Sequence, residues 1–151
     1  MEINTKAYGK INIDDKQVLT FPSGLFGFES LTEYALLDAE QQPFFWLQSL
    51  EVEQIAFILI NPIIFRPDYD PAVHEDELLE IGLTDNDDDD FLLFSIVTIP
   101  ADQSRMTANL QGPIVINKDT KIGRQFISTC ADWKVRHNII EELAAERNNS
   151  C

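Results

Sequence analysis

Cysteine and histidine are scarce in this chain: Cys130 and Cys151 are its two cysteines, His74 and His137 its two histidines. Neither cysteine belongs to a CxxC or Cys/His ligand spacing, which excludes the common structural zinc sites. Cys130, at the end of an apolar segment, reads as a small buried hydrophobe and Cys151 as an exposed thiol. No apolar run approaches the ~20 residues a membrane-spanning helix requires, and no charged, apolar and small-residue leader opens the chain. The expectation is a soluble protein of the reducing cytoplasm, with no membrane partner. GxSxG, Walker A, dinucleotide-binding and HExxH signatures are all missing, so no catalytic or cofactor-binding residue stands out. No linker rich in Pro, Gly or Ser and no repeat divides the 151 residues, which read as a single domain, 1–151.

Basic residues are scarce in the first two-thirds. Residues 1–104 carry 21 acidic and 4 basic side chains, whereas residues 105–151 carry 5 and 7, within a net charge of −15. A field of that sign repels phosphate backbones, which argues against direct nucleic-acid binding and is also what keeps many proteins soluble. The acidity peaks in "TDNDDDD" at 84–90, directly ahead of the apolar run "FLLFSIVTI". A calcium loop starting at Asp85 would need glycine at its sixth position and glutamate at its twelfth, but those are Asp90 and Ile96. The stretch therefore reads as a solvated turn, and no metal is expected there.

What is abundant is apolar and aromatic: 44% of the chain is hydrophobic, with ten phenylalanines, enough for a packed core. "TKAYGKINID" and "KQVLTFP" read as two short strands joined at Asp14 and Asp15, and "FPSGLFGFESL" as a tight, apolar connection. "YALLD", "FFWLQSL" and "IAFILI" follow at roughly ten-residue intervals, the last closed by Asn61 and Pro62. The period changes over 70–82, which predicts a short helix ending at Gly82. "FLLFSIVTI" predicts a central strand, and residues 106–130 predict three further strand pieces. Asn138 followed by Glu141 resembles a capping box and starts a helix over 138–148. The fold class expected is mainly β: a compact antiparallel, barrel-like domain with short helices and a C-terminal helix. His74, in an acidic helix, and His137, just before the terminal helix, both read as surface or capping residues.

Read in order, "FPSGLFGFESL" (21–31), "PFFWLQSL" (43–50), "AFILINP" (56–62), "PDYDP" (67–71), "ELLEIGL" (77–83), "SIVTIP" (95–100), "MTANLQGPIVIN" (106–117) and "VRH" (135–137) resemble the FliW family of bacterial flagellar assembly factors. The resemblance spans nearly the whole chain. It implies a cytoplasmic, non-enzymatic regulator of flagellum biogenesis that binds flagellin as a chaperone-like partner and antagonises the translational repressor CsrA. Flagellin export would thereby be coupled to flagellin translation. On that implication the partner-binding candidates are side chains that turn-rich segments should leave partly exposed: Phe65, Tyr69, Met106, Asn109 and Leu110. The alternative is that these side chains plug the ends of the barrel. Asp87, Asp88, Asp89 and Asp90 become candidates for electrostatic exclusion of RNA from a bound repressor. Two rival readings carry different tests: a small cation-binding or hydrolytic enzyme centred on 85–90, and a chaperone of the same fold that binds flagellin only.

Overall fold

Alternation of side chains along each strand accounts for the architecture. In the strand Glu33–Asp38, Tyr34 and Leu36 join one hydrophobic cluster while Ala35 and Leu37 join another. In Phe91–Thr98, Leu92, Phe94 and Ile96 face the first cluster, and Leu93 and Val97 a third. A strand buried on both faces reads as a continuous apolar run, the pattern seen in "YALL" and "FLLFSIV".

The computed structural model describes residues 1–84 and 90–149. Its strands are β1 (Glu2–Thr5), β2 (Gly9–Asn12), β3 (Val18–Thr20), β4 (Glu33–Asp38), β5 (Phe45–Ser49), β6 (Ala56–Ile60), β7 (Phe91–Thr98), β8 (Thr107–Ala108), β9 (Ile114–Asn117), β10 (Gly123–Gln125) and β11 (His137–Asn138). Two α-helices are α1 (Glu75–Leu79) and α2 (Ile139–Asn149). All ladders are antiparallel, and the main sheet runs β10-β9-β7-β6-β5-β4-β3. β7 forks: Phe91–Phe94 pair with β9, whereas Val97 and Thr98 pair with β8, which in turn pairs with β11. The sheet curls until its two ends meet at one parallel bridge, Thr20 with Ile122, where the Thr20 N–H donates to the Lys121 carbonyl at 2.9 Å. The mainly β class expected from the sequence is what is observed, with a single-bridge seam where a closed barrel would have a ladder.

Inside the curl lie Leu19, Phe21, Leu25, Tyr34, Leu47, Leu59, Phe94, Ile114 and Ile116. Each such side chain contributes about 1.5–3 kcal/mol relative to being left in water. The outer face is covered in three places: by the β1–β2 hairpin through Ile3 and Ile11, by the α1 segment through Leu78 and Ile81, and by Trp133 and α2 through Ile139 and Leu143. Gly24 (φ +66°) makes the tight turn after Phe21 possible, because a Cβ there would sit 2.6 Å from the Phe28 carbonyl oxygen.

Three local expectations need correction. The first segment is itself a hairpin, β1–β2, since Thr5 Oγ1 donates to the Gly9 carbonyl and accepts from the Tyr8 N–H, closing a turn at Gly9 (φ +68°). The helix expected over 70–82 is reduced to Glu75–Leu79. Ala72 takes a positive φ of 51°, outside the helical region, and its carbonyl accepts from both Thr129 N–H and Oγ1. Asp70 to Ala72 is therefore pinned to the C-terminal segment as a loop. Gly82 (φ +79°) does end the turn as expected. The third correction concerns His137, which is buried and is described with the site below.

Candidate partner-binding surface

The loop after β6 begins with Asn61, whose Oδ1 accepts from the Ile63 N–H and so caps a 3-10 turn, Pro62–Ile64. That turn points Ile63 and Ile64 outward, 39% and 45% exposed, while Phe65 turns inward. Tyr69 follows, and its hydroxyl donates to the Leu110 carbonyl at 2.7 Å. Burial, and then the Asp70 carboxylate, push the Tyr69 hydroxyl pKa up. Phe65, Tyr69 and Leu110, expected to be partly exposed, are all buried in the cluster that Met106 packs against. The physical reason is that Tyr69 has a carbonyl to satisfy its hydroxyl in the interior, so its ring can be buried without stranding a polar group. Asn109 is half-buried and closes a turn, its Oδ1 accepting from the Gly112 N–H at 2.8 Å. The structure thus brings the five candidates to one region but places three of them beneath the surface.

Above them lies a layer that local spacing does not reveal. Trp133 stacks edge-on against Tyr69, 4.8 Å between centroids, and donates its indole N–H to the Asp70 carbonyl at 2.7 Å. The Arg66 guanidinium covers the Trp133 ring at 4.7 Å, forks onto Asp68 through two 2.9 Å hydrogen bonds, and donates to Glu142 on α2 at 2.9 Å. Hydrogen bonding to Asp68 comes first among the causes that raise the Arg66 pKa, and the same bond holds the Asp68 carboxyl below its usual range. Glu142 Oε1 also meets His137 Nδ1 at 2.7 Å. His137 Nε2 accepts from the Lys134 N–H at 2.7 Å, which places the ring proton on Nδ1, facing the carboxylate. His137 is only 9% exposed, so the expectation of a surface histidine is corrected: it is a buried link between the β11 segment and α2. His74 stands exposed at the N-terminus of α1, as expected. Asn138 Oδ1 accepts from the Glu141 N–H at 2.9 Å, the first half of the anticipated cap.

Beside Tyr69 the surface opens into a cleft of about 580 Å³, with Phe45, Ile63, Phe91 and Leu93 among its walls and Asn61 and Asp70 supplying polar groups. Asp90, the one member of the acidic candidate set among the described residues, is exposed and offers its carbonyl to the Lys118 N–H at 2.9 Å. Asp87, Asp88 and Asp89 lie outside the described residues. Among the described residues no three His, Cys, Asp or Glu side chains converge as metal ligands, and no helix is long and apolar enough to cross a membrane.

The geometry defines a mainly β scaffold with open, side-chain-lined clefts and a terminal helix docked through Glu142 by one ion pair and one histidine hydrogen bond. Comparison with known proteins makes this specific. The FliW protein family model matches residues 2–139. The flagellar assembly factor FliW of Treponema denticola is 45% identical over 149 residues, covering 99% of this chain and 100% of that protein. That of Leptospira interrogans is 47% identical over 148 residues, covering 97% of each. A crystal structure of the flagellar assembly factor FliW superposes with a TM-score of 0.83 at 33% identity, covering 92% of this chain and 96% of that one. The chain belongs to the FliW family of flagellar assembly factors.

Proposed function

We propose that this protein is a cytoplasmic, non-enzymatic regulator that binds flagellin and, when flagellin is scarce, binds and antagonises the translational repressor CsrA. The observation that carries the reading is the match to flagellar assembly factors, by the family model over residues 2–139 and by a relative over 99% of the chain. The apolar cleft beside Tyr69, with exposed Ile63 on its wall, suits an amphipathic helix. Phe65, Tyr69 and Leu110 then act from below, by fixing the backbone that carries this cleft, while half-buried Met106 and Asn109 keep atoms at the surface for direct contact. Asp87 to Asp90 contribute a negative field that opposes RNA on a bound repressor. Occupancy by one partner lowers affinity for the other, through overlap or coupling.

Calorimetric titration of the purified protein with flagellin and, separately, with CsrA tests the proposal. Saturable binding of both supports it. Binding of flagellin alone reduces the protein to a dedicated chaperone, and a tight stoichiometric isotherm with calcium, magnesium or zinc would favour a cation site centred on 85–90 instead.

A further inference from the structure

On a chain of net charge −15, Arg105 and Arg136 stand out. The other two arginines with described side chains are each matched by two carboxylates, Arg66 by Asp68 and Glu142, Arg124 by Glu77 and Glu80. Arg105 and Arg136 are exposed, and among the described residues neither side chain makes a hydrogen bond or ion pair. Both line one cleft of about 490 Å³, together with Thr98, Pro100, Thr107 and Asn138.

Strand register explains why these residues meet. Thr98 lies opposite Thr107 in the β7–β8 ladder, and Thr107 opposite Asn138 in the β8–β11 ladder, so the three stand abreast on one face. Arg105 closes the 3-10 turn Gln103–Arg105 that leads into β8, and Arg136 immediately precedes β11, so the approach to each strand brings an arginine to the cleft beside that rung. Because β8 and β11 are antiparallel, Arg105 and Arg136 enter the Thr107–Asn138 rung from opposite ends of the ladder. Among the described residues the Thr98 and Thr107 hydroxyls make no hydrogen bond. Asn138 uses Oδ1 for Glu141 and one Nδ2 hydrogen for the Ser104 carbonyl, which leaves a second hydrogen to donate. Asp102, close by in sequence, has Oδ1 engaged by the Ser104 N–H and hydroxyl at 3.0 and 2.6 Å.

We propose that this cleft is a carboxylate-recognition site that takes one acidic side chain from a peptide segment of a partner protein. Two planar forks flanking a rung of neutral donors match the two oxygens of a carboxylate. The overall negative field penalises polyanions such as RNA far more than a single charge. Pro100 in the cleft and exposed Val135 and Ile140, next to its lining residues in sequence, suit apolar neighbours of that acid. The proposal stands apart from the identity of the partners named above, because it specifies a chemical group and a place on the sheet.

The test is an NMR titration of the full chain with a capped peptide, Ac-Leu-Glu-Leu-Ala-NH2, its Gln counterpart, inorganic phosphate and a short single-stranded RNA. The glutamate peptide should shift the Thr98, Thr107 and Asn138 amides and the Arg105 and Arg136 side-chain signals saturably, with the Gln peptide roughly ten-fold weaker, as expected for loss of a charge-assisted pair. Arg105→Gln and Arg136→Gln should each weaken the glutamate peptide about five-fold or more, with an unchanged melting temperature, and Arg136→Lys should fall between. Equal response to both peptides, indifference to the arginine variants, or tighter binding of phosphate or RNA than of the glutamate peptide would each overturn the assignment.

Discussion

Replacing Arg66 by leucine should loosen α2 from the sheet and take the guanidinium off the face of Trp133. Arg66 donates to Glu142 at 2.9 Å from a side chain only 25% exposed, and a partly buried charge-assisted hydrogen bond contributes about 1.5–3 kcal/mol. Its cation–π contact with Trp133 adds about 0.5–1 kcal/mol. The Asp68 pair, whose carboxylate is 61% exposed, adds at most ~1 kcal/mol. Allowing for overlap among these, we expect a loss of about 2–4 kcal/mol. In a domain of this size that lowers the melting temperature by roughly 6–12 °C. Glu142→Ala removes the same pair from the other side and leaves the His137 Nδ1–H without its acceptor. Urea unfolding of both single variants and the double variant then forms a thermodynamic cycle, with an expected coupling of about 1–2 kcal/mol. Additivity within ~0.5 kcal/mol would show that Arg66 and Glu142 stabilise the protein independently, and the picture of an ion-paired clasp would be wrong.

Other perturbations separate the remaining parts of the account. Phe65→Ala should cost about 3–5 kcal/mol in denaturant unfolding, since the ring is fully buried; a change under ~1 kcal/mol would place Phe65 on the surface after all. Tyr34→Phe should leave stability unchanged or slightly higher, because the buried Tyr34 hydroxyl has no partner among the described residues, whereas Tyr69→Phe should cost about 0.5–1.5 kcal/mol through its lost bond to Leu110. Burial, with the Glu51 charge, pushes Tyr34 from 10.0 up to about 12, so its contribution is fully present below pH 10 and is lost as the pH rises through that window. Tyr34→Phe should therefore flatten part of the alkaline fall in stability, and an unchanged alkaline slope would contradict the shift. Ile63→Asp should weaken binding of at least one partner with stability moved by less than ~0.5 kcal/mol, as measured by calorimetry and melting on the same sample. Serine at positions 87–90 should weaken inhibition of RNA binding by CsrA most at low salt, and equal inhibition at every ionic strength would reject a role for the field.

Much of the scaffold was legible in the apolar runs, and the reason is their burial on both faces. "YALLD", "IAFILI" and "FLLFSIVTI" became β4, β6 and β7 within a residue or two of their expected ends, with Asn61–Pro62 and Pro100 closing the latter two. The β1–β2 hairpin was not legible, because its turn is closed by a Thr5 side chain and a left-handed Gly9 in place of a recognised two-residue signature. The helix over 70–82 was overestimated since acidic, helix-compatible residues there are held as a loop by Thr129 and Trp133, some sixty positions away. The candidate site was half legible. The family resemblance and the turn-rich segments mark Phe65, Tyr69, Met106, Asn109 and Leu110 as a set, and the four apolar ones do converge; what spacing could not show is that the Leu110 carbonyl would draw Tyr69 inward. Nor does any local pattern join Arg66 to Glu142 across 76 residues. Trp133 was the available signal, a tryptophan flanked by charge and needing a partner for its N–H.

The most direct test of the central claim follows labelled CsrA by fluorescence anisotropy as flagellin is added to its complex with this protein. The account predicts that anisotropy falls toward that of free CsrA as flagellin approaches stoichiometric saturation, and that repression of flagellin mRNA returns in parallel. A complex that persists undiminished under saturating flagellin would contradict it.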